Sequence, residues 1–278
     1  MAANSLPRRV AKRLLRPLLN EASYSVFQAI AMGWDIRSGT WTEPELDLLK
    51  YAVRPGETAI DIGANYGLYA YHLSRVVGRE GRVYSFEPVP FTARTFRHIQ
   101  RALRFGHNVE LINAGCGEKT GKVSFTLPVN PNGAISAGLV HMGRNDDRPG
   151  NDRVAGFATK EIECDVVALD ERLAGVANVS LIKCDIEGAD LFAMRGARGI
   201  LEKHHPTVII EITPWYLEGF GLKVTDVTSY FESLGYRCYR YVNDKLVPAT
   251  SDVIEEDNWI FVHPSRRERF TTLFAPEA

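Results

Sequence analysis

The sequence predicts an α/β fold, with a mostly parallel sheet and helices on both of its faces. Three observations carry that expectation. The stretch Thr58-Ala59-Ile60-Asp61-Ile62-Gly63-Ala64-Asn65-Tyr66-Gly67 reads as a strand, a tight turn and the start of a helix. A second apolar run, Arg82–Phe86, ends in Glu87 about twenty residues after that turn. Apolar runs then keep alternating with helical patterns toward the C-terminus.

The elements follow in order. Residues 1–50 read as a helical extension, with Trp34, Trp41 and the run 43–53 in helices or turns. Pro55-Gly56 makes a turn just before the first strand, Thr58–Ile62. Leu68, Tyr69, Leu73, Val76 and Val77 share one side of a helix over 66–77. Strand Arg82–Phe86 leads into helix Pro90–Leu103, and a third strand covers 109–114. Further strands are expected at 180–184, Thr207–Ile212, 236–241 and 258–263, with helices at 189–203 and 224–234. The alternation breaks between about 115 and 178, where 122–127 and 160–169 alternate like antiparallel strands. Between them, 128–156 is rich in Gly, Asn, Asp and Arg and reads as a lid or acceptor loop, or as an idle insertion. The division expected is an extension over 1–50, a main domain over 51–265 and a tail over 266–278.

Composition narrows the function. The 278 residues are 45% hydrophobic and 24% charged, with a formal net charge of −1. That balance carries no overall nucleic-acid footprint. Four widely spaced cysteines make no C-x-x-C pair, which points to a reduced, cytoplasmic chain. Cys116 and Cys184 fall beside predicted strand ends and read as small buried thiols rather than nucleophiles. No apolar stretch is long enough to span a membrane. Residues 1–20 carry Arg8, Arg9, Lys12, Arg13 and Arg16 with interleaved leucines and no acid before Glu21. The favoured reading is a helix packed on its own domain or on a second subunit, as in a homodimer. Contact with an anionic membrane surface is the weaker alternative, and a transit peptide is another.

The glycine turn and the acids at strand tips point to a nucleoside pocket, because ligands of open α/β sheets bind at the carboxyl ends of strands. An acid at the tip of the second strand, Glu87, can accept hydrogen bonds from both ribose hydroxyls. The turn reads Asp61-x-Gly63-x-x-x-Gly67 and lacks the G-x-G-x-x-G of a dinucleotide site. Asp61 would repel a pyrophosphate and suit a cation. S-adenosylmethionine, with its ammonium and sulfonium, therefore fits better than NAD. Gly115-x-Gly117 is not a rival nicotinamide motif, because a strand pattern rather than a helix follows it. An NAD(P)-dependent oxidoreductase and a non-catalytic binder of the same cofactor are the alternatives.

A second acidic constellation is Leu181-Ile182-Lys183-Cys184-Asp185-Ile186-Glu187-Gly188. It places Asp185 and Glu187 at the same rim, and Glu211 ends the next strand. These carboxylates could supply a general base, hold Mg²⁺ through oxygen ligands, or contact the cofactor's positive charge. Glu187 could instead cap the following helix. His141 in the long insertion is a weaker candidate base.

The segments IDIGANYGLYA, VYSFEPVP, NAGCGEKTGKVSF, VVALDERL, IKCDIEGADLFAMRGA and PTVIIEI occur in this order. Over roughly residues 56–263 the chain thereby resembles the FkbM family of S-adenosylmethionine-dependent methyltransferases. The D-x-E-G block is the most specific part of the likeness. The resemblance implies a class I methyltransferase, Rossmann-like sheet of seven strands, in the order 3-2-1-4-5-7-6 with an antiparallel last strand. It also implies methyl transfer to a hydroxyl oxygen of a sugar or secondary metabolite, a small-molecule acceptor and not a nucleic acid. By position, Asp61, Gly63, Asn65 and Gly67 would hold the methionine end and Glu87 the ribose, with Ala64 and Tyr66 also among the cofactor-binding residues. Ala114 to Cys116 would flank adenine, Asp185 would sit near the amino or sulfonium group, and Glu187 near the acceptor.

Overall fold

All five residues of β1 (Thr58–Ile62) are buried, although one of them is an aspartate. Alternate side chains go to opposite faces of a strand. Ala59 joins the apolar core on one face, while Ile60 and Ile62 join the core on the other. Both faces are therefore covered, as a parallel sheet requires. The computed structural model describes residues 19–129, 141–142, 158–249 and 257–274.

The remaining strands are β2 (Arg82–Phe86), β3 (Val109–Ile112), β4 (Gly115–Cys116), β5 (Gly121–Val129), β6 (His141–Met142), β7 (Ala158–Val167), β8 (Val179–Cys184), β9 (Thr207–Ile212), β10 (Arg237–Val242), β11 (Lys245–Pro248) and β12 (Asp257–Val262). The main sheet runs β3-β2-β1-β8-β9-β12-β10-β11. β3, β2, β1, β8 and β9 pair in parallel. β12 is antiparallel to both β9 and β10. The first seven strands of this order are the expected 3-2-1-4-5-7-6 arrangement. The eighth, β11, closes a hairpin on β10. Asn243 and Asp244 both sit at positive φ in its two-residue turn, the conformation such hairpins need.

Helices α1 (Glu21–Ser38), α2 (Leu49–Ala52), α3 (Leu68–Val77) and α4 (Pro90–Leu103) cover one face with a buried stripe including Leu68, Leu73, Phe96 and Ile99. Helices α5 (Leu169–Arg172), α6 (Asp190–Arg195), α7 (Arg198–His204), α8 (Pro214–Gly219) and α9 (Val224–Ser233) belong to the other half. There, Leu191, Met194, Leu201 and Phe231 pack on Ile182 and Val208. The single helix expected over 189–203 is two helices. Its break falls at Gly196, where an added Cβ would lie 2.0 Å from the Gly117 carbonyl oxygen. That contact comes from a segment distant in sequence, and no helical periodicity reports it.

A second sheet, β4-β7-β5-β6, accounts for the break in alternation. β5 and β7 pair antiparallel over nine residue pairs, as their alternating pattern predicts. β6 adds to β5 through Thr126 and His141, so His141 lies in strand backbone rather than in a structureless loop. Residues 130–140 and 143–157 of the insertion, and 1–18 of the basic extension, lie outside the described residues. Among the described residues, no helix is long and apolar enough to cross a membrane.

Candidate functional site

The parallel register of β1 and β8 sets Asp61 beside Lys183 and Ile62 beside Cys184. The loops that leave these two strands therefore start at the same level. Asp61 is 2% exposed. Burial raises its carboxyl pKa to about 7, against the opposing pull of the Lys183 ammonium. Ser85 Oγ donates to its Oδ2 at 3.4 Å.

The glycine turn closes against the β8 loop. Gly63 has φ +76°, and a Cβ there would lie 2.0 Å from the Asp185 carbonyl oxygen. Only glycine meets both demands. The Gly63 and Ala64 amides donate to the Phe86 carbonyl at 3.0 and 2.9 Å. Gly67, at φ +90°, faces the Phe96 ring, which a Cβ would meet at 2.7 Å. At both glycines the close approach is to the protein's own atoms. Asn65 also takes positive φ. Its amide donates to Glu87 Oε2 at 3.0 Å, and its side-chain oxygen is buried with no hydrogen-bond partner. The Val89 amide donates to Glu87 Oε1 at 2.9 Å. Burial raises the Glu87 pKa to about 7 despite these two amides.

Beyond β8 the chain builds an ion pair. Lys183 is 2% exposed, and its Nζ lies 3.6 Å from Asp185 Oδ2, on a side chain 40% exposed. The ammonium also stands 5.2 Å from the centre of the Tyr69 ring and 3.4 Å from Asn258 Oδ1. Burial pushes its pKa down, but Asp185, Glu43 and Glu211 outweigh this and hold it above the usual lysine range. Burial pushes Asp185 up, while Lys183 and a hydrogen bond with Glu211 bring it below the usual carboxylate range. Asp190 holds the loop between them. Its carboxylate accepts from the Ile186 amide at 3.2 Å and the Gly188 amide at 3.1 Å. Glu187 is not the helix cap, because α6 begins after Ala189 with no side-chain cap bond. Glu187 takes φ +55°, a conformation costing a non-glycine residue about 1 kcal/mol.

These parts enclose a cleft of about 40 Å³ lined by Asp61, Gly63, Ala64, Asn65 and Asp185, with Lys183, Leu68 and Tyr69. Trp41 and Glu43 complete it from the N-terminal side. Glu45, two residues on, is buried, and burial raises its pKa. The cleft thus gathers the carboxylates Glu43, Asp61 and Asp185 around one ammonium.

The other expected site residues stand off the cleft wall. Glu87 reaches it only through Asn65. Tyr66 is buried, with its hydroxyl bonded to Gln28 and its pKa pushed up to about 12 by burial. Ala114 and Cys116 are buried, and Cys116 packs in the core with Phe86 and Leu169. Burial lifts the Cys116 and Cys184 thiols well above their usual range, so neither serves as a nucleophile. The cleft also uses Lys183, Trp41, Glu43 and Tyr69, which the sequence reading does not assign to the site. A lysine inside an otherwise apolar strand was the available clue to the first.

Of the roles open to Asp185, Glu187 and Glu211, holding Mg²⁺ is the one these residues fit least. Among the described residues, no group of three His, Cys, Asp or Glu side chains is arranged to hold an ion. Asp185, one of the three candidates with Glu187 and Glu211, already faces the Lys183 ammonium. The alternative nicotinamide motif also fails, because Gly115 and Gly117 run into β4 and β5 and present no helix N-terminus.

The family model described as "Methyltransferase FkbM domain" matches residues 61–238. The chain belongs to the FkbM methyltransferase family. A search of curated proteins returned no match. Among solved structures, an FkbM methyltransferase from Methylobacillus flagellatus KT is 20% identical, at a TM-score of 0.46, over 78% of this chain. This chain covers only 50% of that protein. A putative rRNA-methylase from Clostridium thermocellum is 12% identical at a TM-score of 0.48, covering 78% of this chain and 92% of that one. A SAM-dependent O-methyltransferase from Thermotoga maritima is 13% identical at a TM-score of 0.42, covering 82% and 68%. The matched FkbM region begins at Asp61 and includes both acid-bearing loops of the cleft.

Proposed function

We propose that the chain is an S-adenosylmethionine-dependent O-methyltransferase acting on a hydroxyl of a small-molecule acceptor, a sugar or a secondary metabolite. One observation supports this above the others. Three carboxylates share a cleft with a single ammonium, next to an unpartnered Asn65 side-chain oxygen. That surplus of negative charge and acceptors suits a cationic, donor-bearing ligand and opposes a pyrophosphate.

When bound, the cofactor supplies an electrophilic methyl carbon on a positively charged sulfur. Asp61, Asp185 and Asn65 hold its charged methionine end, and Gly63 and Ala64 form the wall of the cleft beside it. Glu87 is the ribose acceptor, while Tyr66, Gly67, Ala114 and Cys116 support these groups from behind. Much of the rate comes from holding the acceptor oxygen in line with the methyl group. Glu187 takes the hydroxyl proton. Asp185 is the second candidate base and the weaker one, because Lys183 lowers its proton affinity. Mg²⁺ has no part in this reading.

The test couples binding to turnover. Calorimetry should detect S-adenosylmethionine and not NAD. S-adenosylhomocysteine should form with at least one acceptor from a panel of sugars and small hydroxyl compounds. Glu187→Gln should reduce turnover by at least about 100-fold and leave cofactor affinity within about threefold. Retained turnover in that variant would sink the base assignment. Tight binding without product across the panel would favour a non-catalytic binder.

A further inference from the structure

Helix α1 is apolar on two sides. Its inner side packs on α4, with Gly33 against Ile99 and Glu21 paired with Arg94 at 3.1 Å. Its outer side carries Val26, Ile30 and Trp34, which are 43%, 70% and 71% exposed. Steps of four residues put the three on one stripe. They are three of the four large apolar side chains exposed among the described residues. Scattered exposed apolar residues need no account, but a contiguous patch does.

Arg37 continues the stripe by one turn and opens onto a cavity of about 550 Å³. The last turn of α3 and the segments just after α3 and α4 supply its other walls through Arg75, Arg79, Arg104 and His107, and no acid lines it. Arg75 donates to the Tyr71 hydroxyl at 2.8 Å, which fixes its position. Among the described residues, none of the four arginines is in an ion pair. Helix C-termini do attract cations, but each end carries only about half a negative charge. Three helix ends cannot balance four guanidinium groups. The surplus positive charge lies at the opposite end of α3 and α4 from the acidic cleft and suits an anionic partner.

We propose that this face is a peripheral membrane-docking surface. Val26, Ile30 and Trp34 enter the interfacial layer, and the arginine cavity receives the phosphate of an anionic phospholipid headgroup. The adjacency of the two features selects this partner. An indole suits the boundary between water and hydrocarbon, and clustered arginines beside an apolar helix face read an anionic leaflet. A second copy of the chain packed on the stripe would leave the cavity's charge unanswered.

The test is vesicle flotation of the full chain, with phosphatidylcholine alone or mixed with phosphatidylserine. Binding is expected only to the mixed vesicles, and to weaken as salt rises. Ile30→Ser/Trp34→Ser and Arg79→Glu/Arg104→Glu should each reduce it by at least about tenfold. Both double variants should keep their melting temperature, which separates lost docking from lost folding. Equal binding to neutral vesicles would overturn the proposal. So would wild-type binding by both variants, which assigns attachment elsewhere on the chain. Dissociation of a dimer by the Ile30/Trp34 variant would make the stripe a subunit contact instead. Tighter binding of a short RNA than of mixed vesicles, lost in the Arg79/Arg104 variant, would assign the cavity to nucleic acid.

Discussion

Cofactor affinity should depend on pH, and the structure sets both sign and size. Burial holds Asp61 and Glu87 at pKa values of about 7 in the ligand-free chain. A cation beside Asp61 and hydroxyl donors at Glu87 both favour the ionised forms, so binding lowers these pKa values and releases protons. Affinity must therefore rise with pH up to about 7 and then level off. At pH 5.5 only about 3% of a group with pKa 7 is ionised, so demand for ionised Asp61 alone weakens binding about 30-fold, or about 2 kcal/mol. Calorimetry with S-adenosylmethionine at pH 5.5, 6.5 and 7.5 measures this. Repeating the pH 7 titration in two buffers of different ionisation enthalpy counts the protons. About half a proton should leave from each carboxyl. Asp61→Asn should remove its share of both effects. A dissociation constant constant within about threefold across that range, with no proton release, would refute the electrostatic reasoning.

Other perturbations test the scaffold. Without ligand, the raised pKa values of Asp61 and Glu87 mean that the fold holds protons which the unfolded chain has lost. Their contribution is fully present below about pH 4 and lost as pH rises through about 7. Thermal melts should show Asp61→Asn flattening that decline. Lys183→Met strands Asp185 and Asp61 without their counter-charge. At 3.6 Å the bare attraction is about 4 to 5 kcal/mol at an effective dielectric of 20. Because Asp185 is partly exposed, a loss of about 2 kcal/mol at pH 8 is expected, shrinking at pH 5, by denaturant unfolding. Gly63→Ala drives a Cβ into the Asp185 backbone and should cost about 3 kcal/mol, with the melt lowered by about 6 to 10 °C. Its cofactor affinity should fall as well, because two loops separate.

The succession of strands and helices was legible because it follows from local periodicity, whereas their order in the sheet was only what the resemblance to the FkbM family implied. The acids at strand tips were legible for the same reason: Asp61, Glu87 and Asp185 each end an apolar run. The two-residue hairpin at Asn243-Asp244 also has a local cause and could have been read. The break at Gly196 could not, since the Gly117 carbonyl that forces it is 79 positions away in the same sequence.

By itself, then, the order of amino acids determined the α/β class, the glycine turn and the carboxylates at the rim. Each depends on neighbours within a few positions. Only the tertiary structure decided their electrical state. Lys183 neutralises Asp185, Trp41 and Glu43 reach across to the cleft, and Asp61 and Glu87 share a water-poor interior that favours their protonated forms. Burial and Coulomb forces act through space between segments far apart in the chain, so no local pattern encodes them.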